Sequence, residues 1–188
     1  LAVDWLAQLR HSVLDGLFVA ITLLGDPPVL ACAAVLGVLA LVFRGLYAAG
    51  AHVAGATLLA AVMVWLFKDV TAVARPELVL RPPSSEAYPS GHATGLTVLC
   101  SLLASFISRE IRPGRRWHVY LILSAPLLLV ALSRLYLGLH WFTDITAGIL
   151  LGLAITGLVR TSVSRFDNAP VTLDASLAVA AAVWLAFT

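Results

Sequence analysis

Three clusters in this chain have the residue types and spacing for chemistry on an anion. They are Lys68 with Arg75-Pro76, the run Pro89-Ser90-Gly91-His92, and Ser133-Arg134 with His140 and Asp144. Each has an ordinary reading alone. Lys68 could cap an apolar helix with its ammonium at the interface, Ser90 could be an N-cap, and His140 could be a hydrogen-bonded structural histidine. Asp144 is harder to dismiss, because a carboxylate several residues into an apolar helix is costly without a partner. If a helix has begun by residue 140, His140 and Asp144 stand at i and i+4, one turn apart on one face. The carboxylate would then hold one ring nitrogen and leave the other as a nucleophile or base. The free amides at 91 and 92 would open a helix as an anion site. Lys68, Arg75 and Arg134 add three positive charges. Two histidines among cations and a helix N-terminus fit a phosphate, whose transfer depends mainly on positioning and charge stabilisation.

The elements that must hold these groups are membrane helices. The chain has 188 residues, 61% hydrophobic and 12% charged, with mean hydropathy +0.97. A soluble domain is about 45–50% apolar and about 25% charged. Apolar runs at 12–24, 28–43, 46–67, 91–108, 117–133 and 141–159 predict an all-α integral membrane protein, a bundle of six transmembrane helices. Residues 1–11 predict an amphipathic interfacial helix, and 171–188 a seventh hydrophobic segment, spanning or lying on the bilayer. Residues 1–168 would form the membrane domain and 169–188 a C-terminal extension. The start at Leu1 and the stop within an apolar run suggest a chain cut from something longer, such as a larger multidomain membrane protein. Gly25-Asp26-Pro27-Pro28 ends the first run. Gly148 and Gly152 form a GxxxG pair, which would let the sixth helix approach a neighbour closely.

Alternating the spans puts Arg10, Arg44, Arg109, Arg112, Arg115, Arg116, Arg160 and Arg165 on one side, and Lys68, Arg75, Arg81 and Arg134 on the other. The arginine-rich side should face the cytoplasm, so the three clusters face outward. If the first run does not cross, Arg10 changes side and the count becomes seven against five. Net charge is only +2, which argues against a nucleic-acid partner, and Cys32 and Cys100 lie within apolar runs as small fillers. Of the outward carboxylates Asp26, Asp69, Glu77, Glu86 and Asp144, no pair has the spacing of a magnesium cage.

Lys-x6-Arg-Pro, Pro-Ser-Gly-His and Ser-Arg-x5-His-x3-Asp, in this order over 68–144, closely resemble the motifs of the membrane type 2 phosphatidic acid phosphatase family. That family shares its site with bacterial acid phosphatases and vanadium haloperoxidases. The resemblance implies that His140 attacks phosphorus to form a phosphohistidine, with Asp144 holding it. His92 would protonate the leaving oxygen and then activate water. Lys68, Arg75, Ser90, the Gly91 amide and Arg134 would cradle the phosphate oxygens, with no metal or cofactor. The expected reaction is hydrolysis of undecaprenyl diphosphate, phosphatidic acid or phosphatidylglycerol phosphate, in the plasma (inner) membrane of a bacterium with the site facing the periplasm. The alternatives are a lipid phosphotransferase using the same histidine, and a non-enzymatic lipid-phosphate transporter or scaffold. Loop 77–88 would set substrate choice, with Arg81 reaching a headgroup and Tyr88 walling the site. Trp141 and Phe142 would belong to the interfacial aromatic belt.

Overall fold

The computed structural model describes residues 8, 10–76, 84–109, 111–166 and 174, the side chains of 163–166 excepted. The expected helix at 1–11 and the segment 171–188 therefore lie almost wholly outside the described residues, as does Arg81. The described residues form α1 (Ser12–Leu23), α2 (Pro27–Phe43), α3 (Tyr47–Thr71), α4 (Gly91–Arg109), α5 (Arg116–Tyr136) and α6 (Phe142–Phe166), with a 3₁₀ turn at Pro113–Arg115.

Among the described residues, five stretches are long and apolar enough to cross a membrane: Ser12–Phe43, Tyr47–Thr71, Gly91–Arg109, Pro113–Tyr136 and Phe142–Ser162. Large apolar side chains such as Val35, Leu58, Trp65, Ile122 and Leu150 stand on the outside of these helices, a surface that suits hydrocarbon rather than water. The interior is graded. Away from the site, Leu41, Val53, Val98, Leu102, Phe106 and Ile155 form an apolar core. Towards the site the buried side chains turn polar, with Ser90, Thr94, Ser133, Arg134, His140 and Asp144.

The first apolar run does not behave as the separate span expected at 12–24. The chain breaks at Leu24–Asp26, and α1 has 12 residues, about 18 Å of helix against a hydrocarbon core of about 30 Å. Both ends of α1 sit at the site end of the bundle. At its start the Tyr136 hydroxyl donates to Asp15 Oδ1 at 2.9 Å and accepts from the His11 amide at 3.2 Å. Near its end Thr22 meets Arg134, and Gly25 lies against His92 and Val130. Helix α1 thus lies obliquely over that end, held by an apolar face against α5, with Phe18 and Tyr136 ring centroids 4.3 Å apart. Arg10, paired with Asp15 at 3.4 Å, moves to the site end with it.

The expected close approach of α6 is to α4. A Cβ at Gly152 would fall 2.6 Å from Thr97 Cβ and 2.9 Å from the Thr94 carbonyl, and one at Gly148 would fall 2.7 Å from the Ser90 carbonyl. The two helices that begin at the site are locked together by the absence of those side chains.

Candidate active site

The site is assembled at four helix ends, and local sequence explains most of it. Helix α5 closes in a Schellman turn: the Leu139 amide donates to the Arg134 carbonyl at 3.0 Å and the Gly138 amide to Leu135 at 3.0 Å. Gly138 takes φ +68°, a conformation that needs no Cβ. The turn folds residue 140 back onto residue 134, so His140 Nε2 lies 3.3 Å from an Arg134 guanidinium nitrogen. The spacing Arg-x5-His is the length of this turn.

Helix α6 begins at Phe142, two residues later than an i, i+4 helical pair requires. His140 and Asp144 still meet, but across the helix start, with Nδ1 3.4 Å from Oδ2. Asp144 takes the place of a capping-box acid, accepting from the Trp141 amide at 2.7 Å. Both side chains are buried, and among the described residues Nδ1 of His140 has no closer polar partner. Two guanidiniums face Nε2, that of Arg134 and that of Arg75 at 3.4 Å. Donors on that side and a carboxylate on the other assign the proton to Nδ1 and the lone pair to Nε2. Burial pushes the ring down to about 4, Asp144 opposing this and the two arginines adding to it, so His140 is neutral near pH 7.

Arg75 reaches the site from the segment after α3. That helix ends with Ala72 in the left-handed region, φ +47°, which turns the chain across the top of the bundle. The guanidinium donates to the Leu139 carbonyl at 2.6 Å, the Ser85 carbonyl at 2.8 Å and the Ser85 hydroxyl at 3.1 Å. Burial lowers its pKa from the ordinary guanidinium value, with Asp144 and Glu86 opposing. Trp141, expected in the aromatic belt, remains partly exposed, yet its indole N–H donates to the Ala74 carbonyl at 2.9 Å and pins this segment to α6. Lys68, in the last turn of α3, donates to the Glu86 carbonyl.

Arg134 is buried. It donates to Thr22 Oγ1 at 3.2 Å and lies 3.3 Å from His92 Nε2. Among the described residues it makes no ion pair with a carboxylate, and its Nε has no partner. A buried charge left this way costs several kcal/mol unless an anion joins it. Ser90, fully buried, caps α4: its carbonyl accepts from the Thr94 amide at 3.0 Å while its own amide donates to the Asp144 carbonyl at 3.0 Å. The first-turn amides of Gly91 and His92 have no partner among the described residues.

The structure thus brings His92, Arg134, His140, Asp144 and Arg75 together, with Lys68, Ser90 and Gly91 at their edge. Tyr88 stands to one side, lining a surface groove with Phe67, Phe142 and Leu150. Two site residues escaped the motif reading: Thr22, and Asp26, whose Oδ1 is 2.8 Å from His92 Nε2. The signal for Asp26 was its place before two prolines.

These features define a class: a helical membrane protein whose bundle ends in a cationic pocket holding one neutral, oriented histidine and a second histidine beside it. Residues 49–167 match the PAP2 superfamily, and the chain belongs to that superfamily, as its three motifs imply. It is 36% identical over 80 residues to phosphatidylglycerophosphatase B of Bacillus subtilis (strain 168), across 41% of this chain and 39% of that protein. It is 40% identical over 88 residues to undecaprenyl-diphosphatase of Sulfolobus acidocaldarius, across 44% and 37%. The match thus spans about two fifths of the length of these curated relatives. Two crystal structures share the fold: a transmembrane PAP2-type phosphatidylglycerolphosphate phosphatase from Bacillus subtilis (TM-score 0.77, 24% identity, 89% of this chain and 85% of that one), and Aquifex aeolicus LpxE (TM-score 0.65, 23% identity, 85% and 92%).

Proposed function

We propose that the chain is a lipid phosphate phosphatase acting through a phosphohistidine. One observation carries this: the unprotonated Nε2 of His140 faces two guanidiniums that, among the described residues, have no carboxylate within ion-pair distance. A phosphoryl group between them has its oxygens held by Arg75 and Arg134, by Lys68 and by the Gly91 amide, with phosphorus facing His140. Asp144 stabilises the imidazolium that forms as His140 attacks, and Ser90 fixes the α4 end from which His92 protonates the leaving oxygen and then activates water.

A lipid substrate is supported by an apolar groove of about 510 Å³ between α2, α3 and α4. Lys68, Gly91 and Pro27 form its site end, and Val35, Thr57 and Leu99 its deep end, about 12 Å further along α2. A hydrocarbon chain fits there with its phosphate at the site. The substrate is a phosphate or diphosphate of the phosphatidic acid, phosphatidylglycerol phosphate or undecaprenyl type, whose choice involves loop 77–88 with Arg81 and Tyr88. Among the described residues five helices cross, with α1 lying across the outer surface. Arg44, Arg109, Arg112, Arg115, Arg116, Arg160 and Arg165 fall opposite the site, against Arg10, Lys68, Arg75 and Arg134 among the described residues at its own end, so the site faces the exterior of a bacterial plasma membrane.

The test is purified protein in detergent with a panel of lipid phosphates and no acceptor lipid. Free phosphate is expected, EDTA leaving the rate unchanged and vanadate inhibiting. Phosphate appearing only on an added acceptor lipid would mean a phosphotransferase. Tight binding without turnover would mean a transporter or scaffold.

A further inference from the structure

His92 has a carboxylate partner that the three motifs do not contain. Asp26 stands 66 residues earlier in the chain, and its Oδ1 lies 2.8 Å from His92 Nε2. Local sequence frees it for this contact. Asp26 is the N-cap of α2, where an aspartate ordinarily accepts from the amide of N2 or N3. Here N1 and N2 are Pro27 and Pro28, and Asp26 makes no side-chain cap. The turn is also shaped to the ring: a Cβ at Gly25 would fall 2.7 Å from His92 Cδ2 and 2.9 Å from Val130 Cγ1. The neighbouring Thr22 takes a hydrogen bond from Arg134. The α1–α2 turn is therefore built onto the two residues at the centre of the pocket.

We propose that Asp26 is the positioning partner of His92, keeping a proton on Nε2 so that His92 serves as general acid. A carboxylate oxygen and an imidazole lone pair do not sit 2.8 Å apart without a proton between them. The charged and titratable groups facing His92 are Asp26 from the α1–α2 turn, Arg134 from α5 and His140 from the α5–α6 turn. Arg134, 3.3 Å from the same nitrogen, is a donor and opposes that proton; Asp26 offsets it. About a third of the Asp26 side chain is exposed, so the pair can exchange its proton with water.

The step rests on the phosphatase reading above. As His140 Nε2 bonds to phosphorus, the phosphorus–oxygen bond to the alcohol breaks and that oxygen takes the proton held by His92 and Asp26. Water then attacks phosphorus, gives a proton back to His92, and the phosphorus–nitrogen bond breaks. The sum is ester plus water to alcohol plus phosphate.

The experiment compares Asp26→Asn with wild type on dioctanoyl phosphatidic acid, whose alkoxide needs a proton to leave, and on 4-nitrophenyl phosphate, whose leaving group departs as an anion. In kcat/KM, which reports the steps up to departure of the leaving group and not the later hydrolysis, the variant is expected to lose about 10- to 100-fold on the lipid and less than about threefold on the aryl ester, which also serves as its folding control. Asp26→Glu should show the same selectivity in milder form. Equal loss on both substrates in either variant, or no loss in either, overturns the assignment of Asp26. Wild type releasing phosphate from neither overturns the phosphatase reading itself.

Discussion

The two histidines sit in walls built in opposite ways. The His140 wall is nearly continuous in sequence: Arg134, His140, Trp141 and Asp144 fall within eleven residues, joined by the Gly138 turn and the cap of α6. The His92 wall is assembled from afar, with Thr22 at the end of α1 and Gly25 and Asp26 on the α1–α2 turn meeting α4 and α5. One wall is dictated by local turn chemistry, the other exists only once the helices have packed. Substitutions in the first should damage chemistry with little loss of fold; those that disturb helix packing should damage both.

The largest expected effect is at the first wall. His140→Ala should reduce turnover by about 10⁴-fold or more, by the measure of nucleophile removal elsewhere, while circular dichroism shows the helices intact. Normal phosphate release from this variant would remove the nucleophile assignment. Arg134→Ala touches both walls and should cost about 2.7–4 kcal/mol of transition-state stabilisation, by analogy with an oxyanion donor, read from kcat. A loss confined to KM would make Arg134 a binding group only.

Gly152→Leu tests packing. Its side chain has no room against Thr97, and overpacking typically costs about 1–3 kcal/mol. Thermal unfolding in detergent should shift down, and activity should fall with it, because α4 carries His92 and Ser90. An unchanged melting temperature would contradict the α4–α6 contact.

A smaller effect follows from His140 itself. Its folded pKa of about 4 lies below the ordinary 6.5, so the unfolded chain binds the extra proton first. Stability should therefore be complete above about pH 6.5 and decline as pH falls towards 4. His140→Asn should flatten that part of the stability–pH curve; a curve parallel to wild type would show that the ring is not buried as a neutral group.

The same contrast explains what was legible in the residues. Motifs and hydropathy were enough for the fold class, the superfamily, and the meeting of Arg75, His92, Arg134, His140 and Asp144, because those residues mark helix ends and turns of fixed length. Whether His140 lies inside α6 or just before it is not legible in the spacing, since a helical i, i+4 pair and a pair meeting across a helix start share it; the helix begins at Phe142. The first apolar run looks like a span because hydropathy does not separate a helix crossing lipid from one lying on other helices. Asp26 was hidden for a different reason: Gly-Asp-Pro-Pro looks like punctuation until α2 packs on α4 and the uncapped carboxylate has somewhere to go.

The most direct measurement is the covalent intermediate. Brief reaction with a phosphorus-32-labelled lipid phosphate, quenched in alkali where phosphohistidine survives, followed by peptide mass spectrometry, should place the label on His140. Label on His92, on any other residue, or on none during active turnover would contradict it.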